Sequence, residues 1–302
     1  MRVIVGWVGL AVAVSALAAI GEAREPLERP RLFQSQQTAS FATAPAREHA
    51  YGRDALQKLD FWRGRGTSAP LVVFVHGGGW KRGDKAMMTG SAKLADWQGK
   101  GYAVASLNYR LVPAATVENQ AQDIAAAVAW LRGQAGKLGI DPQRVVLVGH
   151  SAGAHLVALV GTDPQWLKAH GLSPADLAGI IPLDGAAYLV ADQMSENARL
   201  MGATYRQAFG TEPVRRRALS PTLHAATPNA PAFLILHVER ADAARQSAVL
   251  AAALRSAGTP VELHGLDGRG LRGHMEINRR LGDPEYPATA LVDEWLAARF
   301  GS

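Results

Sequence analysis

The stretch that decides the fold is Val145-Val-Leu-Val-Gly-His-Ser-Ala-Gly153, in which an apolar run leads straight into a serine flanked by glycines. The run 145–148 is typical of a strand that is buried on both faces. The small residues from Ala152 onward predict a helix, so Ser151 would lie on a tight turn between strand and helix. Glycines flank a serine in this position because side chains would clash where the backbone reverses. The turn would present the Ser151 hydroxyl beside a helix N-terminus, which favours developing negative charge.

Outward from this turn, predicted strands and helices alternate along the chain. The predicted strands are 71–75, 102–107, 145–148, 177–183, 233–237 and 261–266, and the predicted helices are 117–132, 152–161, 244–257 and 288–300. This alternation predicts an α/β fold, a mostly parallel sheet with helices on both faces, in one domain from 49 to 302. Ligands of such sheets bind at the carboxyl ends of the strands, which is where the motifs below are found.

Three glycines follow the first predicted strand, in His76-Gly77-Gly78-Gly79-Trp80. Without side chains, their backbone N–H groups can point at a reacting carbonyl oxygen, and acyl transfer needs such donors where negative charge develops. We therefore predict an oxyanion hole formed by the amides of Gly78, Gly79 and Ala152. Taken alone, the glycine run could equally form a flexible turn. His76 itself is expected to be a buried hydrogen-bonding residue.

A serine hydroxyl becomes nucleophilic only when a base takes its proton, and that base needs a third group to hold its tautomer. Where the serine lies on a strand-to-helix turn, the chain order is serine, acid, histidine. His274 follows the last predicted strand, in a glycine-rich stretch, 268–276, that we predict to be a loop, and we predict it as the general base. The alternative for His274 is a solvent-exposed loop histidine.

The sequence offers several candidates for the acid. Asp242 comes after the predicted strand 233–237 at the start of a helix, and we predict it as the acid because this is its usual place. Glu239 lies three residues earlier, and Asp184 follows the preceding strand in Pro182-Leu-Asp-Gly185. Both stay open as alternatives, whereas Asp267 is interpreted as a turn former.

Five segments together resemble a known family. They are His76-Gly-Gly-Gly-Trp80, Asn108-Tyr109-Arg110-Leu111-x-Pro113, Asp123, Trp130-Leu131 and Gly149-His-Ser-Ala-Gly-Ala-His-Leu156. The combination resembles the HGGG-type carboxylesterases of the α/β-hydrolase fold, near the hormone-sensitive-lipase-like esterases, feruloyl esterases and kynurenine formamidases. It extends over about residues 50 to 300. The resemblance implies a triad of Ser151, Asp242 and His274, with Asp123 and His155 as structural supports.

The resemblance also implies a reaction: hydrolysis of small carboxylic esters through an acyl-enzyme, with neither a metal nor an organic cofactor. Because the kynurenine formamidases share both glycine motifs, cleavage of an arylformamide is the alternative reaction, and a non-catalytic binding protein is a third function. The family pattern is not followed at the acid, where His237-Val-Glu-Arg-Ala-Asp242 lacks the common His-Gly-x-x-Asp spacing.

Two features near the predicted site have more than one interpretation. The insertion from Asp192 to Ala226 could form a small lid that supplies an apolar pocket, or a surface excursion that packs its own apolar residues. Trp80 and Tyr109 are candidate walls of a substrate pocket, with core packing as the alternative for both.

Composition excludes several classes of site. The chain has 302 residues and no cysteine, which excludes disulfides, thiol catalysis and thiolate metal sites. The formal net charge is +6, but the basic residues are scattered and Arg215-Arg216-Arg217 is a short run. We therefore expect no nucleic-acid binding. The partner that the resemblance implies is a small-molecule ester.

The N-terminal segment has the pattern of an export signal. A basic residue at position 2 precedes an apolar run from Val3 to Ile20, and small residues follow at plausible cleavage points. We predict a signal peptide at 1–23, a poorly ordered lead-in at 24–48, and a periplasmic or secreted protein without stable membrane insertion once the signal is removed. The alternative is an uncleaved membrane anchor.

Overall fold

Eight strands in one sheet organise the part of the chain that the computed structural model describes, residues 46–226 and 228–301. The strands are β1 (Arg47–Ala50), β2 (Lys58–Trp62), β3 (Ala69–Val75), β4 (Ala103–Leu107), β5 (Ile140–His150), β6 (Gly179–Leu183), β7 (Phe233–Glu239) and β8 (Val261–Arg269). Their order in the sheet is β1-β2-β4-β3-β5-β6-β7-β8. The predicted signal peptide, 1–23, and most of the predicted lead-in lie outside the described residues.

Helices connect and cover the strands. They are α1 (Ala92–Gly99), α2 (Val117–Gly133), α3 (Ala135–Leu138), α4 (Ala152–Thr162), α5 (Gln165–Lys168), α6 (Val190–Glu196), α7 (Ala198–Phe209), α8 (Pro213–Ala218), α9 (Pro221–His224), α10 (Ala241–Ser256), α11 (Gly270–Arg280) and α12 (Pro287–Phe300). No helix within 46–226 or 228–301 is long and apolar enough to cross a membrane.

The pairing of the strands is parallel from β4 through β8, and antiparallel where β2 pairs with β1 and β4. The predicted parallel sheet with flanking helices is therefore confirmed. The antiparallel edge was not predicted, because β1 is polar and largely exposed and carries no apolar pattern. It also begins at Arg47, inside the segment predicted as a lead-in.

Strand β3 at the middle of the sheet shows why the sheet is buried on both faces. Leu71, Val73 and Val75 pack into one hydrophobic core, whereas Val72 and Phe74 pack into a second core on the opposite face. All five side chains are at most 1% exposed. Complete burial of such side chains is worth roughly 1.5–3 kcal/mol each, so the continuous apolar runs stabilise both layers of helices at once.

Register in the sheet brings the two glycine motifs together. Val75, the last residue of β3, pairs with Gly149 of β5 on one side and with Leu107 of β4 on the other. The segments that follow Val75 and His150 therefore leave the same edge of the sheet side by side.

His274 lies in a helix, so its predicted place in a loop is wrong. Strand β8 continues to Arg269, α11 begins at Gly270, and His274 is in the second turn of that helix. The glycines serve a close contact between strand and helix: a Cβ on Gly273 would lie 2.5 Å from the carbonyl carbon of Gly268. A glycine-rich pattern was therefore misinterpreted as an irregular segment.

Candidate active site

The turn between β5 and α4 holds Ser151 in a backbone conformation that few residues adopt. Its φ is 57° and its ψ is −117°, a region that is unfavourable for a residue with a side chain and is concentrated at functional sites. Gly153 allows the turn, since a Cβ there would lie 2.2 Å from the carbonyl oxygen of Val75. The strand–turn–helix arrangement that the sequence predicts around Ser151 is present in the structure.

Three side chains from three segments are linked at this edge of the sheet. The Nε2 atom of His274 lies 3.0 Å from the Oγ of Ser151, and its Nδ1 atom lies 2.5 Å from Oδ2 of Asp184. With Nδ1–H donating to the carboxylate, Nε2 is the acceptor that faces the serine hydroxyl. The Asp184 side chain is fully buried, and that of His274 is 12% exposed. The arrangement therefore has the geometry of a nucleophile, a base and an acid that orients the base.

Asp242, the acid predicted from the sequence, does not contact His274. Its Oδ2 instead accepts hydrogen bonds from Gln193 Nε2 at 2.9 Å and from Arg240 Nη2 at 3.0 Å. The prediction of Asp242 as the partner of the base is wrong. Asp242 is the second residue of α10, and its carboxylate pairs with Arg240 on the side of the guanidinium that faces away from His274. The structure brings the alternative, Asp184, to the histidine.

The other open alternative, Glu239, is also away from the base. It pairs with Arg269 at 2.8 Å, and both side chains are substantially exposed. Within the described ranges, Glu239 has no hydrogen bond or ion pair with Ser151 or His274.

The surroundings of Asp184 keep its carboxylate ionised. Its Oδ1 accepts from the backbone N–H of Val238 at 3.0 Å, and its Oδ2 accepts from Arg240 Nη1 at 2.7 Å as well as from His274. Burial favours a raised pKa for Asp184, but the hydrogen bond from His274 and the charge of Arg240 outweigh it, so the pKa lies below its ordinary value. A buried carboxylate therefore stays negative where it faces the imidazole.

One signal in the sequence could have favoured Asp184: it directly follows the predicted strand 177–183. In the structure it follows the buried strand β6 directly, as Ser151 follows β5, and β6 is the neighbour of β5. The backbone N–H of Ser151 bonds to the carbonyl oxygen of Leu183 at 3.0 Å. Asp184 also has a positive φ, of 43°. Only three other non-glycine residues in the described ranges have a positive φ. Adjacency of strands, rather than the usual position of an acid, is the informative quantity.

The glycine run after β3 approaches the serine closely. A Cβ on Gly77 would lie 2.9 Å from the Cβ of Ser151. In the described part of the chain, the backbone N–H groups of Gly78 and Gly79 donate no hydrogen bond, and Ala152, at the first position of α4, has no partner within its helix. The three predicted oxyanion-hole amides therefore have no acceptor among the described residues and are available to a ligand.

Trp80 and Tyr109 take the second interpretation that the sequence allowed, core packing. Tyr109 is 1% exposed and donates a hydrogen bond from its hydroxyl to the carbonyl oxygen of His76 at 2.8 Å. Its ring stacks on the imidazole ring of His76. Trp80 is also buried and donates from Nε1 to Nδ1 of His155 at 3.3 Å. As predicted, His76 is buried and hydrogen-bonded, with its Nδ1 2.8 Å from the carbonyl oxygen of Gly77. These buried contacts fix His76 and Trp80, the residues on either side of the glycine run.

The residues that the resemblance assigned as supports do make buried structural contacts. His155 Nε2 lies 2.8 Å from the carbonyl oxygen of Leu219, and burial lowers its pKa to about 4, so the ring is neutral. Asp123 is 1% exposed, and its carboxylate accepts hydrogen bonds from two side-chain nitrogens of Arg110 and from Nε2 of Gln57. Asp123 thereby ties helix α2 to the segment after β4.

His150, the residue before the serine, is a further buried histidine. Its Nε2 lies 2.8 Å from the carbonyl oxygen of His274, and the two rings are 4.5 Å apart. Burial, with the nearby His274, lowers the pKa of His150 to about 3. A neutral His150 that donates to the backbone of His274 fixes this turn of α11 against the end of β5.

The insertion between β6 and β7 forms a helical cap, which we define as α6 to α9, residues 190–224. The rings of Tyr205 and Phe209 pack on Trp80 with centroids 5.9 and 4.7 Å away. The methyl group of Thr204 lies 3.1 Å from where a Cβ on Gly79 would stand. Of the two interpretations that the sequence left open, the structure supports a cover over the glycine run, since its apolar residues join the main core.

The fold and this linked triad of side chains define a protein of the α/β-hydrolase class. Residues 59–254 match the model of the BD-FAE family, about two thirds of the chain, and the chain therefore belongs to that family.

Among the residues that the structure describes, no group of His, Asp and Glu has an arrangement that could hold a metal ion.

Known proteins similar to this chain are esterases by name. Esterase LipC of Mycobacterium tuberculosis is 31% identical over 201 residues, which are 63% of this chain and 49% of LipC. Esterase LipQ of the same organism is 30% identical over 224 residues, 68% of this chain and 51% of LipQ. The chain thus spans about half the length of the curated relatives it matches. Esterase B from Lactobacillus rhamnosis superposes with a TM-score of 0.68 at 22% identity, covering 85% of this chain and 86% of that one, and so supports the fold.

Proposed function

We propose that this protein is a serine carboxylesterase that hydrolyses small carboxylic esters through an acyl-enzyme. The observation that carries the proposal is the continuous contact from Ser151 Oγ to His274 Nε2, at 3.0 Å, and from His274 Nδ1 to Asp184 Oδ2, at 2.5 Å. The names of the relatives LipC and LipQ support an esterase.

The first chemical step forms the acyl-enzyme. His274 Nε2 takes the proton of Ser151 as Oγ bonds to the ester carbonyl carbon, and the carbonyl electron pair moves onto oxygen. The buried Asp184 carboxylate stabilises the imidazolium that results. When the tetrahedral intermediate collapses, the bond to the alcohol oxygen breaks, and that oxygen takes the proton from Nε2.

The oxyanion that appears in this step needs hydrogen-bond donors that are already in place. Our candidates are the amides of Gly78 and Gly79, which follow Gly77 close to Ser151, and of Ala152, the residue after the serine; none of the three donates a hydrogen bond within the described ranges. One donor of this kind is worth about 3–4 kcal/mol of transition-state stabilisation. Water then attacks the acyl carbon with His274 again as base, and the carboxylic acid leaves as the serine regains its proton.

A labelling and turnover experiment tests the reaction class. Purified protein is treated with a fluorophosphonate probe, the labelled peptide is located by mass spectrometry, and hydrolysis of p-nitrophenyl acetate and butyrate is measured. The expected result is a label at Ser151 and ester hydrolysis, with both lost in Ser151→Ala. A folded protein that takes no label and cleaves neither ester overturns the proposal and leaves the non-catalytic alternative.

The bond that is cleaved is tested separately. Turnover of N-formylkynurenine is compared with that of acetyl and feruloyl esters under the same conditions. The proposal expects the esters to have the higher kcat/KM, and a clear preference for the formamide would assign the alternative arylformamidase reaction.

We also propose that residues 1–23 are a signal peptide and that the enzyme is periplasmic or secreted. The support is the basic residue, apolar run and small residues of that segment. Bacteria expressing the whole chain are fractionated, and the N-terminus of the product is sequenced. The expected product is shortened to begin near Arg24 and appears in the periplasmic or culture fraction. An unshortened product in the membrane fraction would contradict export and indicate an anchor.

A further inference from the structure

Arg240 lies directly behind the base and its acid. It is the residue before helix α10, and its side chain is 20% exposed. Nη1 of Arg240 lies 2.7 Å from Oδ2 of Asp184 and 2.8 Å from Nδ1 of His274, and Nη2 lies 3.0 Å from Oδ2 of Asp242. One guanidinium thus touches both partners of the catalytic hydrogen bond and a second carboxylate outside it.

The hydrogen-bond roles of these atoms follow from their chemistry. Arginine has donors only, and Nδ1 of His274 must donate its own hydrogen to Asp184 if Nε2 is to accept from Ser151. The short contact between Arg240 and Nδ1 is therefore an approach of two donors that share one acceptor, Oδ2 of Asp184. The shared carboxylate thereby holds both the guanidinium of Arg240 and the imidazole ring of His274 in place.

The position of Arg240 is fixed from outside by Asp242. That carboxylate also accepts from Gln193 Nε2 at 2.9 Å, and the same nitrogen lies 3.0 Å from the hydroxyl oxygen of Tyr205. Gln193 is completely buried, and the Tyr205 ring packs on Trp80 at the end of the glycine run. A continuous set of contacts thus runs from Asp184 through Arg240 and Asp242 to the cap.

We propose that Arg240 is a positioning residue of the triad. Its planar fork joins the Asp184 carboxylate, which orients His274, to Asp242, and so fixes the acid from the side of the cap. The proposal rests on the esterase function proposed above. It assigns a role to Asp242 as well: Asp242 is the anchor of Arg240 rather than the partner of the base.

The test compares Arg240→Gln with Arg240→Lys. The glutamine variant loses charge and fork, and we expect kcat/KM for p-nitrophenyl butyrate to fall about 100-fold, mostly in kcat, since a small displacement of a catalytic group costs a factor of this size. A loss in kcat without a rise in KM is the expected signature of a displaced base. The lysine variant keeps the charge, but its kcat stays reduced because an ammonium group cannot bridge both carboxylates.

A matched control is Arg132→Gln. Arg132 is a similarly buried arginine that bonds to Asp176 and to the backbone at Pro142, near the opposite end of β5, and its replacement should change neither kcat nor KM. Asp242→Asn gives a second comparison: its effect should be smaller than that of Arg240→Gln and should largely disappear in the double variant.

The outcomes separate this proposal from the esterase function. Wild-type kcat and KM in both Arg240 variants would overturn the positioning role, while label on Ser151 of the wild type would leave the esterase function intact. A wild-type protein that takes no label and has no esterase activity would overturn the function and the positioning role together. If Arg240→Gln does not fold, folded Arg240→Lys still decides: a reduced kcat with an unchanged KM supports the role, and a wild-type kcat overturns it.

Discussion

Two aspartates follow adjacent strands of the sheet, and they differ in what surrounds them. Asp184 comes directly after β6, is fully buried, and contacts the imidazole of His274. Asp242 comes after β7, one residue into helix α10, is partly exposed, and contacts Arg240 and the cap. The position after β7 is the usual one for the acid, yet the side chain that reaches the base comes from β6. The comparison teaches that the direction of the side chain and its burial decide the role, more than the strand it follows.

The strongest way to break this comparison is to neutralise each aspartate in turn. Asp184→Asn leaves His274 without the acceptor that sets its tautomer, and kcat should fall about 10⁴-fold, as for other triad acids. Asp242→Asn removes only an anchor of Arg240, and we expect a loss within about 10-fold. Steady-state kinetics, after titration of active sites with a fluorophosphonate, measures both. A larger loss in Asp242→Asn than in Asp184→Asn would reverse the assignment.

The end of β3 extends the comparison to the oxyanion side of the site. Gly77→Ala would place a methyl group 2.8 Å from the carbonyl oxygen of His150 and 2.9 Å from the Cβ of Ser151. The glycine run would have to shift, and we expect kcat to fall about 10²-fold, comparable to the loss of one oxyanion donor. Gly99→Ala tests general effects of an added methyl, since nothing lies within 4 Å of its Cβ position. Equal activity in Gly77→Ala and wild type would contradict the proposed hole.

The end of β5 gives a prediction about stability and pH. Burial lowers the pKa of His150 in the folded protein to about 3, whereas the unfolded chain protonates it near pH 6.5. The unfolded state therefore binds more protons between these values, and the free energy of unfolding falls with falling pH by up to about 1.4 kcal/mol per unit from this residue. Urea unfolding at several pH values should show a shallower fall in His150→Gln, and an unchanged slope would contradict the burial of a neutral His150.

The smallest expected effect concerns the other carboxylate after β7. Glu239 pairs with Arg269 at the surface, and exposed pairs contribute little to stability. Glu239→Gln should therefore retain wild-type kcat and nearly the wild-type free energy of unfolding, measured by esterase assay and urea denaturation. A loss of kcat comparable with that of Asp184→Asn would show that the end of β7 supplies the acid after all.

Local patterns predicted the parts of the site that lie within one segment. Ser151, His76-Gly-Gly-Gly-Trp80 and the buried strands are encoded by neighbouring residues, since a strand, a tight turn and a helix N-terminus each have a signature of a few positions. His274 was predicted from chain order, and the structure brings it to the serine. The helix around it was missed, because Gly268 and Gly273 serve a close packing contact that a sequence pattern does not separate from a loop.

The choice of acid depends on long-range geometry. Asp184 reaches His274 because β6 lies next to β5 and because the backbone of Asp184 has a positive φ. Neither quantity is written in the residues around it. The sequence did not predict how the cap packs on Trp80 or that β1 forms an edge strand. Both depend on contacts between residues that are distant in sequence, and their local sequence patterns are weak.

The hydrogen bond between His274 and Asp184 is the contact on which the account depends, and proton NMR of histidine-labelled protein can observe it directly. We expect a strongly deshielded Nδ1–H resonance of His274 in the wild type and in Asp242→Asn, and no such resonance in Asp184→Asn. A resonance that survives in Asp184→Asn and disappears in Asp242→Asn would contradict the assignment of the acid.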